Sequence, residues 1–284
     1  MQFYNLINLL FTTPIIRKIN LQSIRLQSTR LQSIKLQSIR LQSTRVQSNR
    51  LQSTRLQSNR LESKNDITNN IKRYIPKTYN QKEYQNALND PNIDLLFCLG
   101  PAGTGKTLFA CKYAIESFKN MEKSKIIITR PIKSIDEELG FLPGNIQKKM
   151  YPWTIPIFDI FEEYYCKKDI NNLVIDNLIE IAPLGLMQGR TFKNSIIIGD
   201  EMENSTPCQM FMLLTRIGEN SKMIITGDLK QTKDEHNGLN NIITKLNENY
   251  NEEQLYLKRI KIITMKDSDI QRHQIVTTIN NLYK

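Results

Sequence analysis

Residues 100–107 read Gly-Pro-Ala-Gly-Thr-Gly-Lys-Thr and match the pattern G-x-x-x-x-G-K-[ST]. The match follows an apolar block at 93–99 and opens a helical pattern at 107–118. That context dictates a strand, a phosphate-wrapping turn and a helix in succession. Glycines let backbone N–H groups close around an anion, and the helix N-terminus adds a favourable dipole. Gly100, Pro101, Ala102, Gly103, Thr104, Gly105, Lys106 and Thr107 are therefore candidate nucleotide-binding positions. Within them Lys106 can reach the β- and γ-phosphates, and the Thr107 hydroxyl can ligate Mg²⁺.

The rest of the chain from about residue 71 carries the same alternation. Short β-like blocks fall at 125–129, 179–183, 195–199, 222–226 and 260–264, and helical patterns at 155–165, 206–217, 239–249 and 270–283. Strands alternating with helices argue for an α/β fold with a mainly parallel, doubly wound sheet. The runs Ile126-Ile127-Ile128, Ile196-Ile197-Ile198 and Met223-Ile224-Ile225 are continuous and apolar, as strands covered on both faces should be. Ser205-Thr206-Pro207 opens a helix with a capping hydroxyl and an early proline, and Met210, Leu213, Leu214 and Ile217 form its core stripe.

Two strand ends carry acids. Ser195–Gly199 runs into Asp200 and Glu201, where beside the phosphate loop Asp200 can hold the Mg²⁺ shell and Glu201 can orient or deprotonate a water. A strand-end Glu after the Asp favours water as nucleophile over a small-molecule acceptor. After Met223-Ile224-Ile225-Thr226-Gly227 come Asp228 and Gln231, candidates for sensing the γ-phosphate.

Charge is segregated. The chain has 39 Lys and Arg against 28 Asp and Glu, yet residues 1–64 hold eleven bases and one acid, Glu62, leaving the remaining 220 residues near neutrality. From Leu21 a five-residue unit, LQSIR LQSTR LQSIK and onward to LESK at 61–64, repeats almost perfectly. A period of five spirals around a helix and alternates faces on a strand, so it builds no apolar stripe in either. Two short coils of a pentapeptide solenoid would lack a core. The reading is an N-terminal segment at 1–20, a disordered, basic low-complexity repeat at 21–64 able to track phosphates non-specifically, and a folded domain at 71–284. The longest apolar stretch, 6–16, falls short of the roughly 20 residues a membrane span needs. Cys98, Cys111, Cys166 and Cys208 lack paired spacing and read as buried, reduced thiols of a cytoplasmic protein. Mitochondrial import is the alternative, from an N-terminal stretch rich in Arg and Ser and almost free of acids.

Together the stretches GPAGTGKT (100–107), TRP (129–131), LGFLPG (139–144), APLGLMQGRT (182–191), GDEMENSTPCQM (199–210), LTRIGENSKMIITGD (214–228) and DSDIQRH (267–273) resemble the PhoH-like family of P-loop ATPases. The resemblance covers roughly residues 74–284. It implies a RecA-like domain related to superfamily 1 helicases, ATP and Mg²⁺ as cofactors, and hydrolysis coupled to single-stranded RNA or DNA binding or remodelling. It further implies a homo-oligomer, of which a hexamer is the form suggested. By the same resemblance Lys106 and Thr107 serve nucleotide and metal, Asp200 and Glu201 the hydrolytic centre, and Asp228 and Gln231 the sensor. Gln81 is similar to an adenine-reading glutamine. Arg272 resembles an arginine that stabilises phosphoryl charge, with Arg190 a weaker candidate. Where the family and helicase pattern commonly has Gln, this chain has Glu203, an added negative charge near phosphates. The alternative function is a nucleotide-dependent switch or scaffold acting through protein partners.

Overall fold

The computed structural model describes residues 74–131, 146–231 and 237–271, with the side chains of 146–153 left aside. The repeat at 21–64, Arg272, His273 and the LGFLPG stretch lie outside the described residues.

Six strands form one sheet: β1 (Leu95–Leu99), β2 (Lys125–Thr129), β3 (Ile179–Ile181), β4 (Ser195–Gly199), β5 (Lys222–Gly227) and β6 (Ile260–Thr264). Their order is β3-β2-β4-β5-β1-β6 and every pair is parallel. The sheet is thus wholly parallel where the sequence predicted a mainly parallel one, and the domain is of the expected α/β class. The helices are α1 (Tyr79–Asn89), α2 (Lys106–Lys119), α3 (Ile146–Glu162), α4 (Lys167–Ile175), α5 (Pro207–Leu214), α6 (Gly238–Asn249) and α7 (Glu252–Leu257). α1, α4 and α7 were not anticipated from sequence, and α3 begins nine residues before the predicted helical region.

The isoleucine runs explain the sheet. Alternate strand residues point to opposite faces, so Leu96, Cys98, Ile126, Ile128, Ile196, Ile198 and Ile224 pack with α1 to α4. Phe97, Leu99, Ile127, Ile197, Met223 and Ile225 pack instead with α5 to α7. A strand apolar at every position is the one kind that can serve both layers. The predicted stripe of α5 behaves as core: Met210 and Leu213 are buried, with Leu214 and Ile217 packed at its margin.

Caps fix the helix ends that aim at the site. Thr78 accepts from the Gln81 backbone N–H at 3.2 Å while the Gln81 side chain returns to the Thr78 N–H. Thr206 and Gln209 make the same reciprocal pair ahead of α5, with Pro207 at its first turn as the sequence predicts. The carboxyl end of α1 is closed by Lys222 from β5, whose Nζ donates to the Leu88 carbonyl at 2.6 Å, to Asp90 at 2.8 Å and to Ala87 at 3.3 Å. A cation on the last carbonyls answers both their unmet hydrogen bonds and the helix dipole. Burial pulls the Lys222 ammonium down to about 8.

Of the four thiols, Cys98 and Cys111 are buried but Cys166 and Cys208 are exposed, which corrects the expectation that all are core residues. Cys166 precedes α4 and Cys208 lies in the first turn of α5, both at helix starts facing solvent.

Candidate nucleotide site

Three parallel strands end together on one side of the sheet, and their carboxyl ends set the chemistry. β1 delivers the chain into the loop at 100–105. Gly103 and Gly105 take φ values of 86° and 91°, a left-handed conformation costly for any side chain, and Gly105 is the residue from which α2 starts. Thr104 is fully buried and donates through its hydroxyl to the Pro101 carbonyl at 2.9 Å, tying the loop to itself. Lys106 Nζ curls back to the Gly100 and Pro101 carbonyls at 2.5 and 2.9 Å.

β4 supplies Asp200, 4% exposed. Thr107 Oγ1 donates to Asp200 Oδ1 at 2.7 Å, and Thr226 Oγ1 from β5 donates to the same oxygen at 2.6 Å. The sheet register produces this meeting, since β5 lies between β1 and β4. Glu201 follows in a left-handed conformation, φ 54° and ψ 40°, which swings its carboxylate toward β2. There Arg130 Nη2 lies 3.1 Å from Glu201 Oε1.

Behind Glu201 is the family departure. Glu203 is 2% exposed, accepts from the Asp228 backbone N–H at 3.2 Å through Oε2, and accepts from Asn204 Nδ2 at 3.3 Å through Oε1. Burial first, and then a hydrogen bond with the Glu201 carboxyl, push Glu203 up to about 7. Gly227 makes room for it: a Cβ there would stand 2.4 Å from Leu239 Cδ2 and 2.7 Å from Glu203 Oε2. Asp228, itself buried, accepts from the Lys230 N–H at 3.0 Å.

These groups surround a cavity of about 390 Å³ whose lining includes Ala102, Gly103, Gly105, Lys106, Thr107, Asp200, Glu201, Asp228 and Gln231. The sequence-predicted loop, hydrolytic and sensor positions are thereby brought together. Gly100, Pro101 and Thr104 support the loop from outside the lining. Gln81 is buried behind the loop. Its Nε2 donates to the Thr104 carbonyl at 3.1 Å and the Asp269 carbonyl at 3.3 Å, and its Oε1 accepts from the Lys77 N–H at 2.9 Å. In this arrangement it braces the loop and does not line the cavity. The Gln271 N–H donates to the Gly103 carbonyl at 3.0 Å, so the segment leading to Arg272 is also latched to the loop.

Arg190 lies elsewhere, forked onto Glu180 of β3 and stacked 4.7 Å over the Phe192 ring. The sequence reading gave no role to Arg130, Thr226, Pro156 or Ile160, all of which line the cavity. Arg130 stands in the quoted TRP stretch, so only its strand-end position could have flagged it.

A strand, glycine loop and helix set against an acid-bearing parallel strand define a P-loop NTPase fold. The family profile described as "PhoH-like protein" matches residues 73–284, and the chain belongs to that family. It is 38% identical over 211 residues to a PhoH-like protein of Synechocystis, covering 73% of this chain and 61% of the relative. A PhoH-like protein of Bacillus subtilis is 39% identical over 222 residues, covering 78% and 67%. The chain thus spans about three fifths to two thirds of the length of these relatives. Among solved structures, the Hef helicase domain of Pyrococcus furiosus overlaps with a TM-score of 0.41 at 12% identity, over 69% of this chain and 39% of that one.

Proposed function

We propose that residues 71–284 form a Mg²⁺-dependent ATPase domain. The observation that carries this reading is the convergence of Thr107 Oγ1 and Thr226 Oγ1 on one Asp200 oxygen, at 2.7 and 2.6 Å, beside Lys106 and Glu201 in a single cavity. A hydroxyl and one carboxylate suit Mg²⁺, which takes few protein ligands and completes its shell with phosphate oxygens and water. Bound there, Mg²⁺ would neutralise charge on the β- and γ-phosphate oxygens.

The chain's own residues divide the remaining work. Backbone N–H groups of 102–107 and the Lys106 ammonium bind the phosphates. Glu201 orients a water and accepts its proton as the water oxygen bonds to the γ-phosphorus and the bond to the ADP oxygen breaks. Asp228 and Gln231 meet the γ-phosphate. Coupling to single-stranded RNA or DNA, through an oligomer with the hexamer as its suggested form, is the activity we propose for this hydrolysis; the net charge of +10 on residues 1–64 supports a salt-dependent contact with phosphates.

Steady-state ATP hydrolysis by the full chain, with and without single-stranded RNA at two salt concentrations, tests the proposal. Turnover abolished by Lys106→Ala and raised by RNA is expected. Turnover indifferent to RNA at both salts would move the assignment to a nucleotide switch acting through protein partners, and no Mg²⁺-dependent turnover would remove the ATPase reading.

A further inference from the structure

The register of β2 and β4 pairs Thr129 with Gly199, and the Asp200 N–H donates to the Thr129 carbonyl at 3.0 Å. The next residues on the two strand ends, Arg130 and the Asp200-Glu201 pair, therefore leave the sheet side by side. Arg130 Nη2 sits 3.1 Å from Glu201 Oε1, with the two side chains 21% and 37% exposed, and both line the cavity that holds Lys106 and Thr107. A guanidinium in that place occupies one acceptor site of the Glu201 carboxylate and makes it a weaker base toward a water proton. It is also the side chain best shaped to grip phosphate oxygens through two parallel N–H bonds.

Resting on the ATPase reading, we propose that Arg130 is a cis arginine for the terminal phosphoryl group of the bound nucleoside triphosphate, and that it exchanges Glu201 for that group when the triphosphate binds. The exchange is favourable because a terminal phosphate offers more charge and more acceptor oxygens than one carboxylate. It also gives the site order. With a diphosphate, Arg130 stays clasped to Glu201 and the base is engaged; with a triphosphate, the clasp opens and Glu201 turns to water. The left-handed backbone of Glu201 fits this role, since a strained residue persists where its side-chain direction matters. Arg130 lines the same cavity as Lys106 and Thr107, so both partners of the exchange face one space.

The test uses the full chain with ADP and the slowly hydrolysed triphosphate ATPγS as probes. Arg130→Gln is expected to weaken ATPγS binding by about ten- to hundredfold, the range for losing hydrogen bonds to a charged group, while ADP affinity stays within about twofold. Arg130→Lys, a point charge without the fork, should fall between. A second arm starts from an intact Arg130. Glu201→Gln removes the carboxylate that competes for the guanidinium, so it should tighten ATPγS but not ADP while stopping hydrolysis, and the gain should vanish in the Arg130→Gln background. An unchanged ATPγS-to-ADP ratio in Arg130→Gln, with kcat alone reduced, would overturn the exchange and leave Arg130 as a residue that only positions Glu201. A wild-type chain that binds neither nucleotide would overturn the ATPase reading itself.

Discussion

Two glutamates that lie beside other charged groups have opposite fates in this domain. Glu180 on the edge strand β3 lies between Lys125 and Arg190, forked by the guanidinium with one arm at 2.9 Å, and its carboxyl is held down to about 2 by the Arg190 hydrogen bonds against the opposing effect of burial. Glu203 faces Glu201, Asn204 and the Asp228 N–H instead, and is pushed up to about 7. The first arrangement gives its one carboxylate two cations and asks nothing of a ligand. The second holds two carboxyls close beside a phosphate loop, a costly placement that persists where the neighbours over-determine it. One cluster fastens an edge; the other is set up to respond.

That contrast predicts a clean separation of effects. Glu201→Gln should lower kcat for ATP by about 10²- to 10⁴-fold, the usual worth of a general base, with the unfolding midpoint nearly unmoved. Gly227→Ala should affect both properties. The added methyl must displace Leu239 and Glu203, so we expect about 1–3 kcal/mol of lost stability in urea denaturation and a lower kcat as Glu203 leaves the Asp228 N–H. Glu180→Ala should do the reverse of Glu201→Gln. It strands two cations, about 1–2 kcal/mol of stability for partly exposed charged hydrogen bonds, and leaves kcat unchanged. If Glu180→Ala slowed turnover as much as Glu201→Gln, the division between edge and site would be lost.

How much of this was legible in the sequence follows from which interactions are local. The loop at 100–107 and the acids at 200, 201 and 228 sit in contiguous motifs, and the isoleucine runs announce buried strands because both faces of the sheet must be covered. Thr226 looks like an ordinary strand former, and only the β5 position between β1 and β4 turns its hydroxyl onto Asp200. Arg130 was quoted without a role for the same reason: its partner is 71 positions away and is set by strand register. Gln81 shows the opposite limit. A motif named the amide, but the fold spends that amide on the Lys77 N–H and on the carbonyls of Thr104 and Asp269. α7 and α4 span only six and nine residues, too few turns for an apolar stripe to stand out, and they are placed by packing against β6 and β3.

The smallest expected effect is also the sharpest on sign. Glu203 binds its proton more tightly folded than unfolded, so its contribution to stability is full below about 4.5 and is lost as pH rises toward 7. Glu180 binds its proton less tightly folded, so its contribution is full above about 4.5 and is lost as pH falls toward 2. Urea midpoints of wild type, Glu203→Gln and Glu180→Gln between pH 2.5 and 8 should therefore diverge in opposite directions. The Glu203→Gln chain keeps an acceptor for the Asp228 N–H without a charge to bury, and should gain on wild type from pH 4.5 upward and level off past 7. The Glu180→Gln chain should trail wild type at neutral pH and close the gap only in acid. Curves for the two variants that ran parallel to wild type would mean that neither carboxyl feels the neighbours that distinguish them, and the contrast between edge and site would have to rest on kinetics alone.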